Sequence, residues 1–139
     1  ETTSQSPLAL ARDAARARQG DRPAMTNESI RQAVKEFNEE SRDFKSPRAE
    51  EKWGPIADWD VRNVSSTREL FKGMSEFNAD LSLWQVENVT DMYGMFFGAS
   101  AFTSDLSKWR VENVTYMQQM FDGAEKFDVK KNAPWYPRA

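Results

Sequence analysis

The chain contains no histidine and no cysteine. Without them there is no disulfide framework, no thiolate or imidazole metal site, and no Ser-His-Asp or Cys-His nucleophile system. It also lacks any apolar run near the roughly 20 residues needed to span a bilayer. Charge of one sign is not in excess either: 19 Lys and Arg face 22 Asp and Glu, for a net charge of −3, so nothing global points to nucleic acid. What is present looks contradictory at first. Mean hydropathy is −0.78, which argues against a core, yet 12% of the 139 residues are aromatic.

The aromatics are concentrated. Residues 1–25 hold none, and are rich in Ala and Arg from Leu8 to Arg18. Residues 26–52 hold only Phe37 and Phe44, whereas 15 of the 17 rings lie from Trp53 onward. The core is therefore expected from 53–139. The chain starts with Glu1 rather than Met, as expected of a chain that has lost an upstream leader.

The rings recur every 25 residues. Trp59, Trp84 and Trp109 form one column, Phe71, Phe96 and Phe121 another, and Phe77, Phe102 and Phe127 a third. Val61, Val86 and Val111 keep the same register, as do Val64, Val89 and Val114, and Gly73, Gly98 and Gly123. A fixed period of about 20–29 residues is the mark of a leucine-rich-repeat-type solenoid. Within a unit, Trp84 and Val86 have strand spacing, and Val89, Met92, Met95, Phe96 and Ala99 have the spacing of a short amphipathic helix. Thr90 stands where its N-cap belongs and Gly98 where it should stop. The predicted fold is thus α/β: a short solenoid of about three units, each a parallel strand plus a short helix, with strands about 4.8 Å apart. Ile30, Ala33, Val34 and Phe37 predict a capping helix over the first unit, with Thr26 or Asn27 as its N-cap. At the other end Lys131 replaces the expected Leu and Trp135 is one residue out of period, so the array is expected to stop there.

The motifs Trp59-Asp-Val-Arg-Asn-Val64, Trp84-Gln-Val-Glu-Asn-Val-Thr-Asp-Met92 with Met95-Phe96, and Trp109-Arg-Val-Glu-Asn-Val-Thr-Tyr-Met117 with Met120-Phe121 resemble the 25-residue repeats of BspA-type leucine-rich-repeat surface proteins. That group includes many mycoplasma lipoproteins and large sets of algal proteins. The lead-in of capping helix and Trp53-Gly54-Pro55-Ile56 resembles the family as well, so the likeness covers residues 26–139. Thr67 departs from it, standing where Met is usual, and the last unit decays after Phe127. The resemblance implies a non-enzymatic binding or surface module.

Several residue sets could carry chemistry. Asn27-Glu-Ser29, Asn63-Val-Ser65, Asn88-Val-Thr90 and Asn113-Val-Thr115 are glycosylation triplets in a secreted protein. Three of them also recur at the strand-to-helix bend, where Asn fits a turn and Ser or Thr caps a helix. Asp80 with Asp105 and Glu87 with Glu112 form carboxylate columns that would serve calcium or acid-base work, or would close turns and face water. The dense oxygen-ligand pattern of a calcium loop is missing. No catalytic, cofactor or metal residues are assigned, no cofactor or small-molecule substrate is expected, and the chain is not read as an enzyme.

Partner contact is expected of Tyr93, Phe97 and Tyr116, rings at positions the repeat does not need inward. Phe97 can equally pack beneath the loop to Phe102. Arg12, Arg16 and Arg18 are the candidate contacts of the N-terminal extension 1–25, which is too polar to order alone and is expected to be ordered by a partner. The function expected is a protein-protein interaction module, an accessory or stabilising subunit docking on a larger organellar complex, such as a photosynthetic one, in the chloroplast lumen or stroma. The alternative is a secreted or cell-surface adhesion protein.

Overall fold

The computed structural model describes residues 5–137. Helix α1, Pro7–Gln19, begins with Pro7 inside its first turn and the Ser6 hydroxyl accepting from the Ala9 amide, a start that needs no further partner. Helix α2, Asn27–Glu40, has a reciprocal cap: the Thr26 hydroxyl accepts from the Ser29 amide and the Ser29 hydroxyl from the Thr26 amide. Its buried face is Ile30, Ala33, Val34 and Phe37, as the spacing predicts. A short helix α3, Pro47–Trp53, and a single 3-10 turn, Ile56–Asp58, lead into the repeats. Helix α4, Val129–Asn132, follows them.

The repeats stack in register, but they are neither strands nor helices. Among the described residues, parallel pairing reaches one residue per coil, Ser66 with Asp91 and Asp91 with Tyr116. No sheet forms. The α/β leucine-rich-repeat solenoid, with a parallel strand and a short helix in each unit, is therefore wrong. What replaces it is a ribbon of consecutive turns in which backbone donors alternate. In the first coil the amides of Thr67, Glu69, Phe71 and Gly73 donate to Asp91, Tyr93, Met95 and Phe97 of the next. The intervening amides of Leu70, Lys72 and Met74 close turns onto Thr67, Glu69 and Phe71. The second coil repeats this, with Met92, Gly94, Phe96 and Gly98 donating to Tyr116, Gln118, Met120 and Asp122. Every donor in these rows is used, which is what burial demands of a backbone.

Positive φ explains why no helix can form. Glu69, Gly94 and Gln119 have φ of 54, 57 and 59°, and Gly73, Gly98 and Gly123 have 74, 74 and 77°. One residue in four is left-handed, which a right-handed helix cannot contain. Apolar residues at helical spacing still reach one side, because the turns also reverse about every four residues. Thr90, expected to cap a helix, instead gives its amide and hydroxyl to the Ser65 carbonyl of the coil before.

The core is a set of ring ladders. Phe71, Phe96 and Phe121 stack with centroids 5.6 and 5.7 Å apart, and Phe77, Phe102 and Phe127 at 5.7 and 5.5 Å. Within each coil the two rings stack at 4.0, 4.1 and 4.3 Å. Met92, Met95 and Met120 are fully buried among them. Phe37 of α2 and the buried Phe44 stack on each other at 5.6 Å and meet Trp59, Phe71 and Phe77 edge-on, closing the first end. At the far end the ladder continues one rung beyond the expected stop. Trp135 stacks on Trp109 at 6.1 Å and Tyr136 stands edge-on against Phe121.

Candidate interaction surface

Helix α1 lies on the repeats of its own chain. Arg18 makes two 2.8 Å bonds to the Asp58 carboxylate, which is only 6% exposed. Arg16 donates to the Gln85 amide oxygen at 2.8 Å and pairs with Asp13, and Arg12 donates to the Leu83 carbonyl at 3.3 Å. Ala15 is buried beneath them. The three arginines named from sequence are thus drawn together, onto the Trp59 and Trp84 coils, and the surface that meets them is internal.

The candidate rings lie on the outer side of the turn ribbon. Tyr93 is half-buried, with the Arg68 guanidinium 4.2 Å over its ring, and its hydroxyl donates to the Gln119 side chain at 3.0 Å. Phe97 is half-buried with the Lys72 ammonium 5.5 Å over it. Tyr116 has neither kind of cover and is 54% exposed. Tyr93 and Tyr116 occupy different columns, since Tyr116 follows Ser66 and Asp91 whereas Tyr93 follows Arg68. Sequence reading missed Arg68 and Lys72. The signal was there: each cation precedes its ring by one period, 68 to 93 and 72 to 97.

The ladder residues have a polar function besides packing. Each indole donates to a backbone carbonyl: Trp59 to Gly54, Trp84 to Ile56, Trp109 to Leu81 and Trp135 to Leu106, all at 2.7–2.9 Å. The Ile56, Leu81 and Leu106 carbonyls also accept the backbone amides of Trp59, Trp84 and Trp109. Both lone pairs of each carbonyl are thus used, and successive coils are clasped at the Trp edge.

The carboxylate columns are committed to turns. Asp80 accepts from the Ser82 amide and Asp105 from the Ser107 amide, both at 2.9 Å. Bonds from the Ser107 hydroxyl and amide hold the Asp105 carboxyl below its ordinary value. Among the described residues no group of three or more acidic side chains is placed to hold a metal. The Asn88 and Asn113 side chains donate to the Arg62 and Glu87 carbonyls of the preceding coil at 2.8 and 2.7 Å. Asn27 does the equivalent work at the capped end, accepting from the Ser65 and Ser66 amides and donating to the Ser65 hydroxyl.

Residues 39–136 match the family described as Mycoplasma protein of unknown function, DUF285. The chain belongs to DUF285. The match begins at the end of α2 and takes in every coil, so the DUF285 unit here is the clasped turn ribbon together with its Trp135 rung. A leucine-rich-repeat assignment is not shown, and the lack of strands among the described residues speaks against it. No curated protein and no solved structure gives a significant match. Among the described residues no helix is long and apolar enough to cross a membrane.

Proposed function

We propose that this DUF285 chain is a non-catalytic protein-protein interaction module, an accessory subunit that docks on a larger assembly through the outer side of its turn ribbon. Tyr116 carries the reading. It is a large ring left 54% exposed, beside half-buried Met117, whereas Tyr93 and Phe97 each lie under a cation of the preceding coil. Tyrosine at such a place is the residue type that anchors interfaces, because it gives contact area at low conformational cost. The turn-closing bonds of Asp80 and Asp105 support a structural role for the acidic columns. The compartment proposed with it is the organellar one, tested by where a tagged full-length chain accumulates.

A photo-crosslinking side chain placed at Tyr116, compared with one at exposed Glu39 on α2, tests the surface in the source cells. Defined adducts at position 116 and none at 39 are expected. Equal background at both positions would remove the proposal.

A further inference from the structure

The four Asn-x-Ser/Thr triplets are alike in sequence and unlike in the fold. Asn88 and Asn113 each give the side-chain nitrogen to a backbone carbonyl of the preceding coil, at 2.8 and 2.7 Å. The hydroxyls two residues on do the same, Thr90 to the Ser65 carbonyl and Thr115 to the Thr90 carbonyl. At Asn27 both ends of the amide are used: Nδ2 donates to the Ser65 hydroxyl at 2.9 Å, and Oδ1 takes the Ser65 and Ser66 amides. The Ser29 hydroxyl of that triplet accepts from the Thr26 amide inside the cap of α2. Asn63 has none of this. It is exposed, and its side chain has no hydrogen-bond partner among the described residues. Ser65 accepts from Asn27, but its own hydroxyl hydrogen has no acceptor among them.

The difference follows from register. Asn88 and Asn113 reach carbonyls 26 residues back, so the counterpart for Asn63 is the carbonyl of Phe37. Phe37 lies inside α2, where its carbonyl accepts the Ser41 amide. The 25-residue step of the Thr90 and Thr115 hydroxyls, taken from Ser65, falls on Glu40, the last residue of the same helix. Where α2 stands in for a coil, both acceptors are withdrawn and the triplet faces water.

We propose that Asn63 carries an N-linked glycan and that Asn27, Asn88 and Asn113 do not. In the transfer the Asn63 amide nitrogen attacks the anomeric carbon of a sugar carried on a lipid pyrophosphate. The new N–C bond forms as the C–O bond to the pyrophosphate breaks, the amide gives one proton to a base of the transferase, and the lipid pyrophosphate leaves. Ser65 supplies the hydroxyl that completes the acceptor triplet. Transfer reaches a chain before it has folded, so the fold selects afterwards which marked chains survive. A sugar on exposed Asn63 stands in solvent and breaks no bond. On Asn88 or Asn113 it must be placed at a nitrogen already in contact with the neighbouring backbone, and on Asn27 at the clasp between α2 and the first coil. Chains marked there lose bonds that hold coil to coil. Glycan attachment is independent of the docking surface, and adds that the chain meets the transferase on its way to the compartment proposed above.

Full-length chain purified from the source cells is treated with peptide N-glycosidase, which turns a glycosylated Asn into Asp, and its peptides are compared with untreated ones by mass spectrometry. Conversion at position 63 alone is expected. Ser65→Ala, expressed in the same cells and checked for unchanged circular dichroism, should lose the glycan although Asn63 is still there. In unglycosylated protein Asn63→Gln should leave the urea midpoint where it is, while Asn88→Gln lowers it. Unmodified Asn63 in the source-cell protein, a glycan on Asn27, Asn88 or Asn113 in folded protein, a glycan retained by Ser65→Ala, or equal midpoints for the two Gln variants would each overturn the inference. Crosslinking at Tyr116 with Asn63 unmodified would overturn the glycan alone. A glycan at Asn63 with equal crosslinking background at 116 and 39 would instead count against the docking role.

Discussion

At the scale of the residue, the four indoles do two jobs that separate cleanly by mutation. Trp84→Phe keeps a ring in the ladder but leaves the Ile56 carbonyl with one bond instead of two. About 1–2 kcal/mol of unfolding free energy should be lost, and Trp84→Ala should cost roughly 3–5 kcal/mol, read from urea melts. The columns with positive φ give a test of opposite sign. Gly98→Ala places a Cβ 3.5 Å from the Gly73 Cα at φ +74° and should cost about 1–2 kcal/mol. Glu69 occupies the same kind of conformation with a side chain, so Glu69→Gly should be stabilising by about 0.5–1 kcal/mol, the strain relieved exceeding the added chain entropy. The ladder residues were legible because identical side chains recur at one period. The indole bonds were not, because a periodic Trp looks the same whether or not its N–H has a partner. Gly94 was the misread residue. It sits in the middle of the supposed helix, between Tyr93 and Met95, and a glycine there marks a left-handed turn more readily than a helix interior.

Among the elements, α2 could be read almost whole from its cap and its apolar face, whereas the repeat unit could be read only as a period. Spacing of three and four brings side chains to one side in a helix and also in a ribbon of turns, so the pattern could not decide between them. The backbone decides through φ at one residue in four. The junction of α2 with α3 depends on Glu36, which accepts from Trp53, Lys52 and Gln32. These bonds pull its pKa down to about 2, the Gln32 bond most and those from Trp53 and Lys52 next. A depressed carboxylate contributes stability that is complete above its unfolded value and is lost as pH falls through the folded one. The contribution should therefore fade between about pH 4.5 and 2. Glu36→Gln should remove that part of the acid dependence while costing at most about 1 kcal/mol at neutral pH, since the pair is partly solvated. Melts of the two proteins across that range would show it. A parallel loss of stability in both would refute it.

For the whole molecule, α1 is the element whose attachment is most polar: three arginines, one buried alanine and the Asp58 carboxylate beneath. Arg18→Ala leaves that buried carboxylate without its ion partner, so the amides of α1 should lose hydrogen-exchange protection before those of α2. Equal protection in both helices would show that packing alone holds α1. Composition marked 1–25 as distinct, but could not show that the partner of its arginines lies in the same chain. That information is carried by Leu83, Gln85 and Asp58, more than 35 residues away, and no periodicity connects them.

The alternating backbone donors give the stack a parity. Each amide in the ribbon faces either its own turn or the next coil, and its neighbour faces the other way. Deleting Tyr93 would exchange the two roles along the rest of that coil, as a lost base shifts a reading frame, and no folded protein should be recovered. Removing residues 84–108 restores the frame, because Trp109 then takes the place of Trp84 above Trp59. That shortened chain should still melt cooperatively, at lower temperature, in near-ultraviolet circular dichroism. The quantity this architecture protects is a length of 25 residues, and the array can grow or shrink only by whole units.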